Sequence, residues 1–423
     1  MLLSNMRRVF AILTLVVSSV CALAQSQVVQ PDYDTYFHPY RLRVDLTFAG
    51  DASCQNIFLD GMARECDWSG SKVNLIDTFR YGEYRLEVHT PDGKEIYSKG
   101  FNTLFQEWRT TAEARTTPQA FASSYVIPYP KDKFLFKVFE RSRETGLYGE
   151  IFSIEVDPSD KLISREVPND FKVDKILYNG DPANKVDLLF IAEGYTAQEM
   201  DKFRADAQRF ADYMFTMDPY TRHKGDFNIW ILESVSEESG TDIPHKDIWK
   251  RTVVSSNFYT FRSDRYLTAQ NHKLVSQVAS NAPYDALYVL VNNKEYGGGG
   301  IYNFYGLSAS DCIYAEPVFV HEFGHSFAGL GDEYYDSSTS YEDFYNIKIE
   351  PWEPNITTKV HFESKWKDMM ESGAEVGLYE GGGYMAKGIF RPVPDCRMKT
   401  NTAPGFCPVC QRAIERMIGY YTR

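Results

Sequence analysis

The sequence predicts a multidomain α+β protein, with an N-terminal antiparallel β-sandwich followed by an α/β domain. Apolar residues alternate early in the chain, as at Leu42, Val44 and Leu46, which is the two-residue period of a half-buried strand. After residue 165, continuous apolar runs of strand length alternate with amphipathic helical stretches, as in a sheet covered by helices. The chain has 423 residues, 43% hydrophobic and 24% charged, which is enough for two hydrophobic cores.

Residues 1–24 have the pattern of an export signal. Arg7-Arg8 precede the apolar run Val9 to Val20, and Ala22-Leu23-Ala24 forms a small-x-small cleavage site, so the mature chain is expected to start at Gln25. The apolar run is too short to span a bilayer comfortably. The sequence therefore predicts an exported protein, periplasmic, on the cell surface or secreted, with no stable membrane insertion after cleavage.

Charge and cysteine content narrow the class of protein. The net charge of −13, with no basic stripe, argues against a nucleic-acid partner because phosphates favour a basic surface. Cys21 lies in the leader, where lipidation is the alternative to simple cleavage, although Val20 is larger than the residue a lipobox requires. Six further cysteines in an exported chain favour disulfides, with Cys54 and Cys66 a plausible local pair. The C-x-x-C of Cys407 and Cys410 lacks a thioredoxin-like context, which favours a structural use.

Residues 25–165 are predicted to form the β-sandwich. Phe134, Phe136 and Val138 repeat the strand-like alternation, and Pro91-Asp92-Gly93 marks a hairpin turn between two such runs. Since this region contains no cluster of metal-ligating residues, a binding, docking or folding role is predicted for it.

Residues 166–423 are predicted to form the α/β domain. The apolar run Val186 to Ile191 suits a buried strand, and Thr196 with Glu199 forms a capping box ahead of a long helix. The buried stripe of that helix is Met200, Phe203, Ala207, Phe210 and Met214. Further elements are predicted as strands Phe227 to Leu232 and Ala286 to Val291, and as helices Gln270 to Ser280 and Pro408 to Tyr421.

His321-Glu322-Phe323-Gly324-His325 has the spacing of a catalytic zinc site. Histidines four residues apart on a helix lie one turn apart on the same face, so both imidazoles can reach one metal ion. The opposite face is apolar, with Phe319, Phe323, Phe327 and Leu330, which indicates a helix buried on one side. Glu322 is next to the histidines and is the predicted general base for a zinc-activated water.

A third metal ligand is expected just beyond the helix. Gly329 and Gly331 allow the chain to leave the helix and turn back sharply. Asp332 is the favoured third ligand, because the first acidic residue past the glycines needs the shorter return, and Glu333 is the alternative. The cofactor predicted is one catalytic Zn²⁺ ion held by His321, His325 and the acidic residue.

Two flanking segments are candidates for the walls of the cleft. The glycine run Gly297 to Gly300 leads into a short β segment, which could form a rim where an extended peptide adds as a strand, or a plain surface loop. The long stretch after Tyr335 contains Gly381-Gly382-Gly383-Tyr384. Tyr384 is a candidate for assisting the reaction from this stretch.

The run from His321 to Tyr334 resembles the signature of the IgA-peptidase-type zinc metalloendopeptidases. The resemblance extends to Cys396-Arg397-Met398, to the glycine-rich Glu380 to Gly388, and to the N-terminal β region, which resembles the accessory domain of bacterial members. It implies an exported zinc endopeptidase with a metzincin-like catalytic domain and a protein or peptide substrate. It also implies that Met398 is the Met-turn residue packed below the metal.

The chain departs from the common metzincin pattern at the turn after the helix. That pattern places glycine three residues after the second histidine and the third ligand six after, whereas Gly329 and Asp332 each come one residue later.

Two alternative functions remain at this stage. One is a non-catalytic surface binding protein with a structural metal, against which Glu322 argues, and the other is a zinc amidase acting on cell-wall peptides. The ligand set specifies peptide hydrolysis rather than a particular protein substrate.

Overall fold

A computed structural model describes residues 28–335 and 344–423 of the chain. The predicted export signal, its cleavage site and the lipidation candidate Cys21 lie outside the described residues. Within the two described ranges, every helix is too short or too polar to cross a membrane.

The N-terminal region contains two antiparallel sheets, as predicted. One has the strand order β2-β1-β5 and the other β4-β3-β6-β7. The aromatic ring of Phe48 in the first sheet lies 5.3 Å, centroid to centroid, from that of Tyr84 in the second, so the sheets share one core. The elements are α1 (Tyr33–Tyr36), β1 (Phe37–Gly50), β2 (Gln55–Asp67), β3 (Tyr84–His89), β4 (Glu95–Phe101), α2 (Leu104–Trp108), β5 (Gln119–Pro130), β6 (Phe134–Arg141) and β7 (Tyr148–Val156).

The following region is built on one mixed sheet of six strands in the order β12-β13-β11-β9-β10-β8. The four central strands are parallel, and the edge strands β12 and β8 are antiparallel to their neighbours. The elements are β8 (Lys172–Leu177), β9 (Val186–Glu193), α3 (Met200–Met214), β10 (Phe227–Glu233), α4 (His272–Val278), β11 (Ala286–Val291), β12 (Gly298–Ile301), β13 (Tyr305–Ala309), α5 (Ala315–Ala328), α6 (Lys367–Glu371), β14 (Tyr379–Gly382), β15 (Met385–Arg391) and α7 (Pro408–Thr422).

The local sequence signals in this region are confirmed. Thr196 and Glu199 form the predicted capping box before α3, and the predicted apolar stripe of that helix is buried. The motif-bearing helix α5 lies over the sheet, because Phe319 packs against Phe190 and Tyr288 with ring centroids 5.5 and 4.7 Å away. These contacts bury the apolar face of α5 against the central strands of the sheet.

Two expectations are wrong. Cys54 and Cys66 cannot pair, because they lie at opposite ends of the extended strand β2, about 40 Å apart at the rise of a β-strand. All six cysteines within the described ranges are free thiols. The glycine run is itself most of strand β12, and of the β segment predicted after it only Ile301 belongs to that strand before the chain turns.

The N-terminal sandwich is attached to the mixed-sheet region by buried polar contacts. The guanidinium of Arg41, 1% exposed, donates to the carbonyl oxygens of Ala282 at 3.0 Å and Ser280 at 2.7 Å. Nearer the motif helix, the indole N–H of Trp352 donates to the Glu83 carboxylate at 3.0 Å. The two regions therefore satisfy one another's buried hydrogen-bonding groups.

His272 is a buried histidine at this same junction. Its Nδ1 accepts the backbone N–H of Ser124 at 3.1 Å, and its ring stacks on Phe304 with centroids 3.6 Å apart. Burial lowers the pKa of His272 to about 3. The imidazole is therefore neutral in the folded protein, whereas it is protonated below a pKa of about 6.5 in an unfolded chain.

We expect the free energy of unfolding to decrease as the pH is lowered, because of His272. The unfolded chain takes up the proton first, so stability is unaffected above about pH 6.5 and declines by about 1.4 kcal/mol per pH unit below it, towards pH 3. Urea unfolding at pH 7 and pH 5 measures this. The His272→Gln variant, whose amide oxygen can accept the same N–H, should show a loss about 2 kcal/mol smaller than wild type. Equal losses in the two proteins would contradict the assignment.

Candidate metal centre

Helix α5 brings His321 and His325 together on the side that lines a cleft. Four residues apart, they have ring centroids 4.7 Å apart and Nε2 atoms 3.0 Å apart. The helix ends at Gly329, which has φ +64° and occupies the left-handed C-cap position that glycine adopts most easily. The chain then reverses towards the two histidines.

Asp332 is delivered to the histidines by this reversal. Its Oδ1 lies 3.1 Å from Nε2 of His321 and 3.2 Å from Nε2 of His325. The turn is held from outside by Asn355, whose side chain accepts the Gly331 N–H at 2.7 Å and donates to the Gly331 carbonyl at 2.8 Å. The longer turn noted in the sequence therefore still returns an acidic oxygen to the face of α5.

Hydrogen bonds at the two Nδ1 atoms determine which histidine nitrogens are available as metal ligands. Nδ1 of His321 lies 3.0 Å from the carbonyl oxygen of Arg397, and Nδ1 of His325 bonds the carbonyl oxygen of Leu330. Because a carbonyl only accepts, each Nδ1 must donate, which leaves the Nε2 lone pair of a neutral imidazole for a cation. Two such nitrogens and one carboxylate oxygen are a ligand set that fits zinc, with room for a further ligand.

The electrostatics of the trio favour a positive charge between its members. Burial alone would raise the pKa of Asp332, but the adjacent His325 and His321 hold it well below its usual range. Burial would lower the pKa of His325, and the Asp332 carboxylate outweighs it and raises that pKa to about 9. Two imidazoles and a carboxylate packed this closely require a proton or a metal cation at their centre.

Glu322 lies at the edge of a cleft of about 330 Å³ that also contains the trio. Burial raises the pKa of its carboxyl above the ordinary range. Strand β12 passes very close to α5 here: a Cβ on Gly298 would lie 3.0 Å from Oε1 of Glu322, and one on Gly300 would lie 2.9 Å from Cβ of His325. The glycines are needed because the strand approaches the helix too closely for side chains.

The outer edge of β12 is partly used by the chain itself. The carbonyl oxygen of Gly298 accepts the N–H of Leu267 at 3.4 Å, and that of Tyr302, just beyond the strand, accepts the N–H of Asn102 at 2.9 Å. Gly298, Gly299 and Gly300 all line the cleft. The glycine run is thus a wall of the cleft rather than a plain surface loop, with one in-chain contact at Gly298 and another just beyond the strand at Tyr302.

Tyr384 reaches the same trio from the turn of the β14–β15 hairpin. Its hydroxyl donates to Oδ2 of Asp332, the carboxylate oxygen that does not face the histidines. Backbone bonds hold the turn in place, from the N–H of Gly383 to the Asp332 carbonyl at 2.8 Å and from the N–H of Tyr384 to the Tyr334 carbonyl at 3.0 Å. The tyrosine thus contacts a metal-ligand candidate as well as the cleft.

Met398 and Glu333 lie on the far side of the turn. Met398 is fully buried, its carbonyl accepts the Glu333 N–H at 2.8 Å, and its sulfur lies 2.9 Å from where a side chain on Gly324 would begin. It therefore packs against α5 at Gly324. The Glu333 carboxylate accepts from Asn355 at 3.0 Å and lies beside Cys410 at 3.3 Å, so the structure groups Asp332, and not Glu333, with the histidines.

Several cleft residues were not found by sequence reasoning. Asn102 and Glu107 come from the N-terminal region, and Glu107 accepts a hydrogen bond from the hydroxyl of Tyr266 across the cleft wall. Arg265 lies with its guanidinium carbon 5.8 Å from the ring centroid of Tyr334, which in turn stacks near His321. These residues are far apart in sequence and carry no motif, so no local signal could have grouped them.

Comparison with known families follows the same division of the chain. Residues 175–375 and 370–418 match the family described as IgA Peptidase M64, and residues 32–152 match the one described as Peptidase M64 N-terminus. No curated protein matches the chain. The first match spans more than half of the 423 residues and includes the whole metal centre, nearly all of the six-stranded sheet and the start of α7. This chain therefore belongs to the IgA Peptidase M64 family and is a peptidase.

Proposed function

We propose that this protein is an exported, zinc-dependent endopeptidase in which Glu322 is the general base. The observation that carries the proposal is the trio of ligand atoms on His321, His325 and Asp332, whose mutual distances are 3.0 to 3.2 Å. Both imidazoles are oriented through Nδ1 by backbone carbonyls, as in protein metal sites that bind through Nε2.

The position of Glu322 in the cleft supports its proposed role as the base. A zinc ion at the trio would supply Lewis-acid polarisation of a carbonyl and acidification of a water. The Glu322 carboxylate, which lines the cleft one residue from His321, would accept a proton from a nucleophilic water and pass it to the leaving amine. With Met398 packed against α5 at Gly324, the arrangement supports a metzincin-like catalytic domain in which Asp332 is the third ligand.

The domain division and the export of the protein are part of the same proposal. We assign residues 1–24 to a signal peptide, 25–165 to an accessory domain and 166–423 to the catalytic domain. The family matches at 32–152 and 175–418 support the two larger units. The basic pair and apolar run of the leader support export.

The reaction is tested by comparing zinc-loaded and chelator-treated protein on two substrates. One is a denatured protein mixture, analysed by mass spectrometry for new internal termini, and the other is a set of cell-wall peptides. We expect new protein termini only with the zinc-loaded protein and their return when zinc is restored. Cleavage confined to the cell-wall peptides would favour the zinc amidase over the endopeptidase. No cleavage of either substrate by zinc-loaded protein would favour the non-catalytic binding protein.

Tyr384→Phe is expected to weaken zinc binding about 10- to 100-fold, because its hydroxyl holds the outer oxygen of Asp332 and such partners of metal ligands have effects of this size. Zinc affinity is measured by competition with a chromogenic chelator. Tyr379→Phe, an exposed position in the same hairpin, is the matched control and should bind zinc as wild type does. An unchanged zinc affinity with a reduced kcat would instead indicate that the Tyr384 hydroxyl interacts with the substrate.

A further inference from the structure

A second cluster of metal-ligating side chains lies behind the metal centre. It consists of Glu333, Cys396, Cys407 and Cys410, whose potential ligand atoms all lie within 4.8 Å of one another. Glu333 follows Asp332 directly, Cys396 precedes the Met398 turn, and Cys407 and Cys410 lie at the start of α7. Three separate segments of the chain thus converge on one point, and the reaction proposed above uses none of these four side chains.

The distances within the cluster match those of a tetrahedral metal site. Sγ of Cys396 lies 3.8 Å from Sγ of Cys410, and Oε1 of Glu333 lies 3.3 Å from Sγ of Cys410. Four ligands around zinc, with zinc–sulfur bonds of about 2.3 Å, have sulfur atoms about 3.8 Å apart, whereas bonded sulfurs are only about 2.05 Å apart. The C-x-x-C spacing of Cys407 and Cys410 is also that of paired ligands in structural zinc sites.

The surroundings of the cluster favour a bound cation. Glu333 is completely buried, and its Oε2 has no hydrogen-bond partner among the described residues. A buried carboxylate is costly unless it is paired with a positive charge or a metal. The sulfur atoms receive backbone donors, with the Cys407 N–H 3.2 Å from Sγ of Cys396 and the Cys410 N–H 3.5 Å from Sγ of Cys407. Such a donor, at the positive end of α7, favours a thiolate at Cys407, the N-cap residue of that helix.

A disulfide would not satisfy this cluster. Three sulfur atoms can form only one S–S bond among themselves, which would leave one buried thiol beside the buried Glu333 carboxylate. The remaining cysteine of the catalytic region, Cys312, is engaged elsewhere, with its sulfur 3.5 Å from the carbonyl of Ala309. A single divalent ion, by contrast, would use all three sulfurs and the carboxylate oxygen.

We propose that Glu333, Cys396, Cys407 and Cys410 form a second zinc site, closed and structural. All four positions of the ion would be filled by protein ligands, as in sites that stabilise folds rather than catalyse reactions. The site would connect the Asp332–Glu333 turn, the Met398 turn and α7. Its role would be to hold the segment that presents Asp332, and it does not depend on the reaction assigned to the first site.

Metal content measured by inductively coupled plasma mass spectrometry tests the proposal. Purified full-length protein is expected to hold about two zinc ions per chain, and His325→Ala and Cys410→Ser about one each. Cys312→Ser, which removes a buried cysteine outside the cluster, should still hold about two. In cobalt-substituted protein, the sulfur-to-cobalt charge-transfer band should persist in His325→Ala and disappear in Cys410→Ser.

A measurement on the wild-type protein tests the proposal even if a cluster variant fails to fold. Titration with a mercurial reagent that binds thiols is expected to release one zinc ion in step with three buried thiols, and Glu322→Gln should release the same amount. The proposal is overturned if peptide mapping under non-reducing conditions finds a disulfide within the cluster. It is also overturned if wild type holds one zinc ion that His325→Ala loses entirely, or if thiol titration releases no metal.

Discussion

Glu322→Gln is expected to lower kcat/KM on a peptide substrate by about 10²- to 10⁴-fold, the usual contribution of a general base. The substitution keeps the size and shape of the side chain, which matters because β12 leaves no spare room beside it at Gly298. It removes only the capacity of the carboxylate to take up a proton. The two histidines and Asp332 are untouched, so zinc content should stay at the wild-type value.

The measurement is steady-state kinetics on any peptide cut by the wild-type protein, with zinc content determined on the same preparations. Glu316→Gln is the matched control, since Glu316 lies in the first turn of the same helix and pairs with Arg209 instead of lining the cleft. It should retain wild-type kinetics. A Glu322→Gln protein with bound zinc and undiminished kcat/KM would show that Glu322 is not the general base.

Asp332→Asn is expected to lower zinc affinity at the first site at least about 100-fold, since loss of mere hydrogen-bond partners around metal ligands already costs about 10- to 100-fold. The side chain would keep its size, but the charge that faces both Nε2 atoms would be lost. Peptidase activity should fall in parallel and recover in part at high zinc concentration.

Zinc dependence of activity, measured as the free zinc concentration at half-maximal rate, checks this expectation. Asp311→Asn is the control, because Asp311 pairs with Lys202 away from the cleft, and its zinc dependence should match that of wild type. If Asp332→Asn has wild-type zinc dependence, Asp332 is not the third ligand and the alternative, Glu333, has to be reconsidered.

The parts of the fold that were predictable are those fixed by short-range patterns. Strand β11 covers the same six residues that the apolar run indicated, Ala286–Val291, because a central strand buried on both faces is written as continuous apolar sequence. The capping box at Thr196 and the helical spacing of His321 and His325 are equally local. The capping box and the histidine spacing depend on contacts within one or two helical turns, and β11 is recognised from its own apolar residues although it pairs with β9 and β13.

The features that were not predictable depend on contacts between distant segments. Cys396 and Cys407 meet Glu333 only because the turn at Met398 and the start of α7 fold beneath α5. Counting cysteines led to the expectation of disulfides, since a count carries no information on where a carboxylate will lie. The contact between Tyr384 and Asp332 likewise depends on a hairpin whose turn is held by the Asp332 backbone.

The buried contacts of Arg41 have a practical consequence for anyone who wishes to produce the peptidase part alone. A truncated chain beginning near residue 166 would lose the guanidinium that bonds the carbonyls of Ser280 and Ala282, and would lose Glu83 as the partner of Trp352. Unsatisfied groups of this kind cost about 1–3 kcal/mol each when they stay buried. The truncated chain would also expose apolar surface that the sandwich covers. It would lack the cleft residues Asn102 and Glu107 as well. Recombinant fragments should therefore retain the sandwich, which serves the peptidase as a built-in part of its fold.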